Sequence, residues 1–204
     1  MTMPWLHNQV ILTALCLCLA ALAPWSSAPA DRGVPAEATR TQAIGGDFTL
    51  TDHNGAPFSL SDERGKVVLM FFGYTSCPDV CPTTLMMVKQ VIDRLGDRAR
   101  DLTPLFISVD PQRDTPSRLK AYVSYFDPSI IAATGTQDQL HALTRSYGTF
   151  YRYTGDVASN DYAVDHGANL YVIDRHGELA RIIPFGTPVD TIASIVSQVE
   201  AGKP

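Results

Sequence analysis

The sequence is short of positive charge, with 16 Lys and Arg residues against 21 Asp and Glu residues and a formal net charge of -5. A protein that binds nucleic acid needs a basic surface that neutralises the phosphate backbone. This composition does not supply one. We therefore expect no nucleic acid among the partners of this chain.

Cysteine is also scarce, with four residues in a chain of 204, which is too few for a disulfide scaffold. A chain of this length buries enough apolar surface to fold without cross-links. Cys16 and Cys18 lie in an apolar N-terminal run and are interpreted as apolar side chains. The folded part of the chain thus carries one dithiol, formed by Cys77 and Cys81.

The N-terminal segment lacks basic residues, since no Lys or Arg precedes Arg32. An uncharged, mostly apolar stretch runs from Val10 to Ala23, and small residues typical of a cleavage site follow at 28–30. Residues 1–24 are therefore predicted to be a signal peptide or an N-terminal membrane anchor. Without arginine a mitochondrial presequence fits badly, so we expect an exported bacterial protein that faces the periplasm, anchored in the inner membrane or soluble after cleavage.

The rest of the chain divides into a linker and one domain. Residues 25–43 are rich in Ala, Pro, Ser and Thr and show no hydrophobic period, which is typical of a linker. From residue 44 the pattern becomes globular, and residues 44–204 are assigned to a single domain. Asn54 and Gly55, flanked by alternating apolar residues, predict a β-hairpin at its start.

Strand and helix signals alternate along this domain. The apolar runs KVVLMFF, LTPLFISVD and IIAATG indicate buried strands, each followed by a helix whose start is marked by Pro82, Thr115 or Thr136. Residues 151–166 are interpreted as irregular. Two antiparallel strands and a last helix follow. This order describes an α/β thioredoxin-like sandwich, a mixed central sheet flanked by helices with an extra N-terminal β-hairpin.

Three residues separate Cys77 from Cys81, and each cysteine is followed by a proline. Proline disfavours the helical conformation of the residue before it, so both cysteines are predicted on a loop ahead of the helix. The positive end of that helix favours thiolate over thiol. Thiolates bind metal and also attack disulfides, so the pair alone leaves both functions open.

His166 is the candidate for a third ligand. In a thioredoxin-like fold the loop entering the strand after His166 faces the cysteine loop. Redox members of that fold usually place a proline there, whereas residues 151–181 contain none. Two thiolates and one imidazole suit copper, as Cu(I) or Cu(II), and also accept zinc. Three protein ligands leave a site open, as transfer of a metal requires.

The chain resembles the Sco/SenC family in the segments GYTSCPDVCPTTL, SVDPQRDTP and YAVDHGANLYVID. The resemblance implies a membrane-tethered or exported metallochaperone that helps supply the dinuclear copper site of cytochrome c oxidase. It implies Cys77, Cys81 and His166 as copper ligands, and it implies that Asp110, Arg113 and Asp114 matter near the site. The implied partners are the copper-bearing oxidase subunit, other copper chaperones or thiol reductants, and the membrane if the N-terminal segment is uncleaved.

A periplasmic thiol-disulfide oxidoreductase is the alternative from another functional class. Cys77 and Cys81 would then be the redox-active pair, acting on the cysteines of a partner. His166 discriminates between the two functions, because a dithiol reductase does not require it.

Overall fold

The computed structural model describes residues 44–159 and 161–202. The predicted signal or anchor (1–24) and linker (25–43) lie outside the described residues. Among the residues it does describe, no helix is both long and apolar enough to cross a membrane.

The central sheet has seven strands: β1 (Thr49–Asp52), β2 (Pro57–Ser59), β3 (Val67–Gly73), β4 (Leu102–Ser108), β5 (Ile131–Thr134), β8 (Leu170–Ile173) and β9 (Leu179–Ile183). Two further strands, β6 (Tyr151–Asp156) and β7 (Asp161–His166), form a separate two-stranded sheet. The spatial order in the central sheet is β2-β1-β5-β4-β3-β8-β9. The helices are α1 (Val80–Leu95), α2 (Pro116–Phe126), α3 (Gln137–Ser146) and α4 (Val189–Glu200), with 3-10 turns at Leu60–Glu63, Gly96–Asp101 and Val157–Ser159.

Strand directions follow from the connections. The helical crossovers make β3, β4 and β5 parallel, whereas β8 pairs antiparallel with β3, and β9 with β8. The N-terminal hairpin β1-β2 joins the sheet antiparallel to β5. The predicted thioredoxin-like fold with its additional hairpin is confirmed.

The core is centred on β3 and β4, in which all seven residues of each strand are buried. Continuous apolar runs of this kind are expected of strands covered on both faces. Helix α1 packs against α2 and α4 and buries one residue every three or four positions. Because both strands are buried along their whole length, the positions at which the loops after β3 and β4 begin are fixed by the core.

Helix starts agree with the sequence signals. The side chain of Thr115 accepts a hydrogen bond from the backbone N–H of Arg118, and Pro116 is the first residue of α2. Thr136 and Gln139 form a reciprocal capping box at the start of α3. These caps fix where the helices begin and therefore where the preceding loops end.

Residues 151–166 are not the irregular stretch that was predicted. They form the hairpin β6-β7, which pairs antiparallel from Tyr151 opposite His166 to Asp156 opposite Asp161. Buried Tyr162 and Val164 alternate with exposed neighbours in β7, which is the period of a half-buried strand. The polar residues at the centre of the segment obscured this alternation in the sequence.

Candidate metal centre

The two cysteines of the dithiol follow strand β3. Cys77 lies in the loop between β3 and α1, but Cys81 is the second residue of α1. The prediction that both cysteines precede the helix is therefore wrong for Cys81. Pro82 is tolerated at the third helical position because N–H groups of the first turn have no partner inside the helix.

The start of α1 links the two cysteines directly. The backbone N–H of Cys81 donates a hydrogen bond to Sγ of Cys77, with nitrogen and sulfur 3.5 Å apart. The sulfur thus satisfies one of the first-turn N–H groups at the positive end of the helix. The two cysteines are not joined by a disulfide.

The two thiols have opposite pKa shifts. A hydrogen bond from the Cys81 thiol lowers the pKa of Cys77 to about 3 against the effect of burial, and hydrogen bonds from backbone N–H groups act in the same direction. The same hydrogen bond, together with burial, raises the pKa of Cys81. At neutral pH one proton therefore stays on Cys81, and Cys77 is a thiolate.

Gly73, the last residue of β3, makes room for the buried sulfur of Cys81. A Cβ atom at this position would lie 2.7 Å from Sγ of Cys81 and 2.9 Å from the ring of Phe106. Both neighbours are fully buried. The site therefore has no space for a side chain at residue 73.

The Gly73→Ala variant is expected to be less stable by about 1–3 kcal/mol, the usual cost of overpacking a core. The added methyl group pushes against Sγ of Cys81, so the variant should also change the reactivity of the dithiol. Urea denaturation of the reduced protein measures the first effect, and the rate of thiol alkylation measures the second. Unchanged values for both would show that the contact at Gly73 is relaxed in solution.

His166 is the last residue of β7, and its ring lies beside the two cysteines. Its Nε2 lies 3.3 Å from Sγ of Cys81. Its Nδ1 lies 3.0 Å from the carbonyl oxygen of Gly167, which only accepts hydrogen bonds, so Nδ1 carries the proton. In this tautomer Nε2 presents a lone pair towards the sulfur. The rings of Phe71 and Tyr74 pack edge-on against the imidazole and hold its plane.

The structure brings together the three residues predicted as ligands. Sγ of Cys77, Sγ of Cys81 and a ring nitrogen of His166 all lie within 4.8 Å of one another. Two ligands of one zinc-sized ion, each about 2.3 Å from it, are at most about 4.6 Å apart, so little movement is needed. Their role as metal ligands remains a prediction.

The site opens to the surface through a small cavity of about 250 Å³. Cys77 and His166 are half-buried at its wall, whereas Cys81 lies beneath and is fully buried. The remaining lining is mostly apolar, with Asp79 as its charged residue: Pro78, Asp79, Val80, Val164 and Ala168. A partner's side chain therefore reaches Cys77 and His166 before it reaches Cys81.

Asp114 holds the cysteine loop in place. Its carboxylate is fully buried and accepts hydrogen bonds from the backbone N–H of Thr75 at 2.9 Å, from the Thr75 hydroxyl, and from the hydroxyl of Ser108 at 2.6 Å. Arg118 covers this group and donates to the hydroxyls of Thr75 and Ser76. The loop that carries Cys77 is thus fastened to the end of β4 and to α2.

Asp110 and Arg113 hold the hairpin that carries His166. The hydroxyl of Tyr162 donates to the buried carboxylate of Asp110 at 2.7 Å, and the other carboxylate oxygen accepts from Arg113. Arg113 also donates to the backbone carbonyl of Tyr162 at 2.9 Å and lies 3.7 Å from the centre of its ring. The sequence showed only a shaped turn here, although charges directly after a buried strand are a usable signal of buried pairing.

The chain is similar in sequence to proteins of a known family. The sequence profile of the SCO1/SenC family matches residues 36–200. The SCO2-like protein of Rickettsia felis is 41% identical over 136 residues, which is 66% of this chain and 66% of that protein. SCO2 of Saccharomyces cerevisiae, a mitochondrial protein, is 44% identical over 67% of this chain and 46% of its own length. The chain thus spans less than two thirds of the length of these curated relatives.

Solved structures of similar proteins carry copper. The copper-bound ScoI of Arabidopsis thaliana is 32% identical, with a TM-score of 0.71, and covers 78% of this chain and 99% of its own. The copper-bound ScoI of Bradyrhizobium japonicum is 37% identical, with a TM-score of 0.71, and covers 77% of this chain and 99% of its own. Yeast Sco1 with copper bound has the same TM-score at 32% identity and covers 76% of this chain and 87% of its own.

Proposed function

The chain belongs to the SCO1/SenC family, and from this premise we propose that it is a metallochaperone that binds one copper ion through Cys77, Cys81 and His166. The observation that carries the proposal is the convergence of these three donor atoms within 4.8 Å. Three similar structures with copper bound support the choice of metal.

The donor set fits copper in both oxidation states. Thiolate ligands favour Cu(I), and imidazole suits Cu(II), so a site with two sulfurs and one nitrogen accepts either. Cys77 is already ionised at neutral pH, and binding displaces the one proton that remains on Cys81. The hydrogen bond from Nδ1 to Gly167 fixes the tautomer in which Nε2 is free to bind.

The burial of the three residues suits transfer of the ion to a partner. Copper held by three protein ligands remains open to an incoming fourth donor. In the cavity that donor replaces Cys77 or His166 first, and the buried Cys81 is the last ligand to dissociate. Exchange of one ligand at a time lets the ion move without being released into water.

The recipient in this proposal is the dinuclear copper site of cytochrome c oxidase, whose copper-bearing subunit is the partner. Other copper chaperones or thiol reductants would load copper or reduce the dithiol. Residues 1–24 would export the domain to the periplasmic side or anchor it in the inner membrane, residues 25–43 would act as its linker, and residues 44–204 would form the copper-binding domain. These assignments rest on the family and on the sequence pattern.

The second candidate function is thiol-disulfide exchange with a partner, which the ionised state of Cys77 favours. The Cys77 thiolate would attack a disulfide of the partner and release one of its sulfurs as a thiolate. Cys81, after giving its proton to the released thiolate, would then displace the partner's other sulfur and close the Cys77–Cys81 disulfide. The partner gains the two electrons that the pair loses.

The His166→Ala variant separates the two functions. Because it removes one of three donors and leaves the dithiol intact, we expect the copper affinity to fall by more than the ~10–100-fold that loss of an outer-sphere group costs, with thiol-disulfide exchange retained. The full chain should be tested in a Cys16→Ser, Cys18→Ser background, titrated with Cu(I) and with Cu(II) beside an alkylation assay.

His176→Ala is the matched control, because His176 is exposed in the turn between β8 and β9. It should bind copper as the parent does. If His166→Ala also binds copper as tightly as the parent while exchange stays fast, the metallochaperone proposal loses to the oxidoreductase.

A further inference from the structure

The hairpin β6-β7 forms its own sheet, so contacts made by its side chains set its position in the fold. Three tyrosine hydroxyls make these contacts. Those of Tyr151 and Tyr153 donate to the backbone carbonyls of Gln137 and Val109, at 3.4 Å and 2.9 Å. The hydroxyl of Tyr162 donates to a carboxylate, that of Asp110. A charged acceptor makes the hydrogen bond of Tyr162 the strongest of the three.

Tyr162 is held on its other sides by Arg113. The guanidinium group lies 3.7 Å from the centre of the Tyr162 ring, donates to the Tyr162 carbonyl, and is itself fixed by the carboxylate of Asp110. Asp110 is fully buried, and the side chain of Arg113 is only 14% exposed. The backbone, ring and hydroxyl of one strand residue are therefore all fixed by a single buried ion pair.

Two sets of contacts connect this ion pair to His166. The first runs along β7, where Tyr162, Val164 and His166 lie on the inward face of the strand, because alternate residues point the same way. The second runs through Tyr74: Arg113 lies 5.5 Å from the centre of the Tyr74 ring, and that ring packs edge-on against the imidazole of His166. Displacement of Arg113 or Tyr162 therefore shifts the residues that pack beside the His166 ring.

We propose that Arg113 and Tyr162 are positioning residues for His166, and that they set the copper affinity through the placement of its ring. This inference rests on the proposed copper-binding function. The neighbouring carboxylate, Asp114, fastens the cysteine loop instead, through Thr75. Two carboxylates four residues apart thus bond to different segments of the site, Asp110 to the hairpin and Asp114 to the cysteine loop.

A double-mutant cycle in the full chain tests the proposal. Tyr162→Phe removes only the hydroxyl and leaves the ring under Arg113, so the fold should persist, and we expect a loss of copper affinity of about tenfold, within the range of outer-sphere substitutions. In a His166→Ala background the same substitution should cause no further loss, because the group through which it acts is gone. Arg113→Lys should resemble Tyr162→Phe, since lysine keeps the charge but lacks the planar guanidinium whose separate nitrogens bond the carboxylate and the carbonyl.

Asp114→Asn is the matched control, because it changes the cysteine half of the site. Its effect on copper affinity should persist in the His166→Ala background. If Tyr162→Phe lowers the affinity equally with and without His166, or leaves it at the parent's value when His166 is present, the positioning role is overturned while the copper function stands.

A metal-free measurement tests the placement of the His166 ring separately from copper binding. In the apo protein, Tyr162→Phe should shift or broaden the imidazole NMR signals of His166 and leave the alkylation rate of Cys77 unchanged. Unaltered His166 signals contradict the inference. If the parent protein binds no copper, the proposed function fails, whereas the NMR comparison still decides whether the ion pair positions the ring.

Discussion

Serine in place of either Cys77 or Cys81 is expected to abolish stoichiometric copper binding. A hydroxyl is a hard, weakly acidic donor, so each substitution replaces a thiolate that copper favours with a group that stays protonated at neutral pH. The loss should exceed the ~100-fold upper range for outer-sphere changes, and it should exceed that of His166→Ala for Cu(I), which depends most on sulfur. Competition with a Cu(I) chelator measures the affinity.

The two serine variants should differ in thiol chemistry. In the Cys16→Ser, Cys18→Ser background, Cys77→Ser leaves only Cys81, which is fully buried. Burial shields its sulfur from the reagent and by itself still raises the pKa of the thiol, so alkylation at neutral pH should nearly stop. Cys81→Ser leaves Cys77, which is half-buried at the cavity wall. The hydroxyl introduced at position 81 still donates to the Cys77 sulfur, so alkylation should stay fast. Copper binding by either variant with the parent's affinity and stoichiometry would contradict the three-ligand site.

The pKa shift of Cys77 predicts the pH dependence of this reaction. Only the thiolate reacts, and Cys77 is ionised above about pH 3. The alkylation rate should therefore stay nearly constant between about pH 5 and about pH 8, where an ordinary thiol loses about tenfold per pH unit. Cys81→Ala removes the hydrogen-bond donor that lowers the pKa most, so the rate in this variant should fall towards acid pH. A steep fall in the parent would show that Cys77 is protonated.

Local signals account for the parts of the fold that the sequence predicts well. The buried run from Val67 to Gly73 and the caps at Thr115 and Thr136 act within a few residues, so the order of strands and helices follows from them. The hairpin of residues 151–166 was not predicted, because the alternation of buried and exposed residues in its strands is short and its centre is polar. The helical position of Cys81 escaped because the first turn tolerates Pro82.

The convergence of Cys77, Cys81 and His166 was predictable, because cysteine and histidine are scarce in this chain and the fold fixes which segments meet. Their supports were not predictable. Asp114 bonds Thr75 across 39 residues of sequence, and Tyr162 bonds Asp110 across 52, and no local pattern encodes pairings of that length. Charges that directly follow a buried strand indicate that such a partner exists, but only the tertiary structure identifies it.

The Asp114→Ala variant is expected to be among the most destabilised single variants of this protein. Removal of the carboxylate leaves the backbone N–H of Thr75 and the hydroxyl of Ser108 without their acceptor in a buried site, and it leaves Arg118 without its anion. Loss of one partner from a buried ionic network costs about 3–5 kcal/mol. The half-exposure of Arg118 favours the lower end of that range.

Asp114→Asn separates hydrogen bonding from charge in this network. The amide oxygen can accept from the Thr75 N–H and the Ser108 hydroxyl, and the amide nitrogen can donate to the Thr75 hydroxyl, so we expect a cost of about 1 kcal/mol. Asp190→Ala, which removes an exposed partner of Arg94, should leave stability nearly unchanged. Urea denaturation of the metal-free proteins measures the free energy of unfolding of all three variants. A small effect of Asp114→Ala would show that packing against the core holds the cysteine loop without the hydrogen-bond network of Asp114.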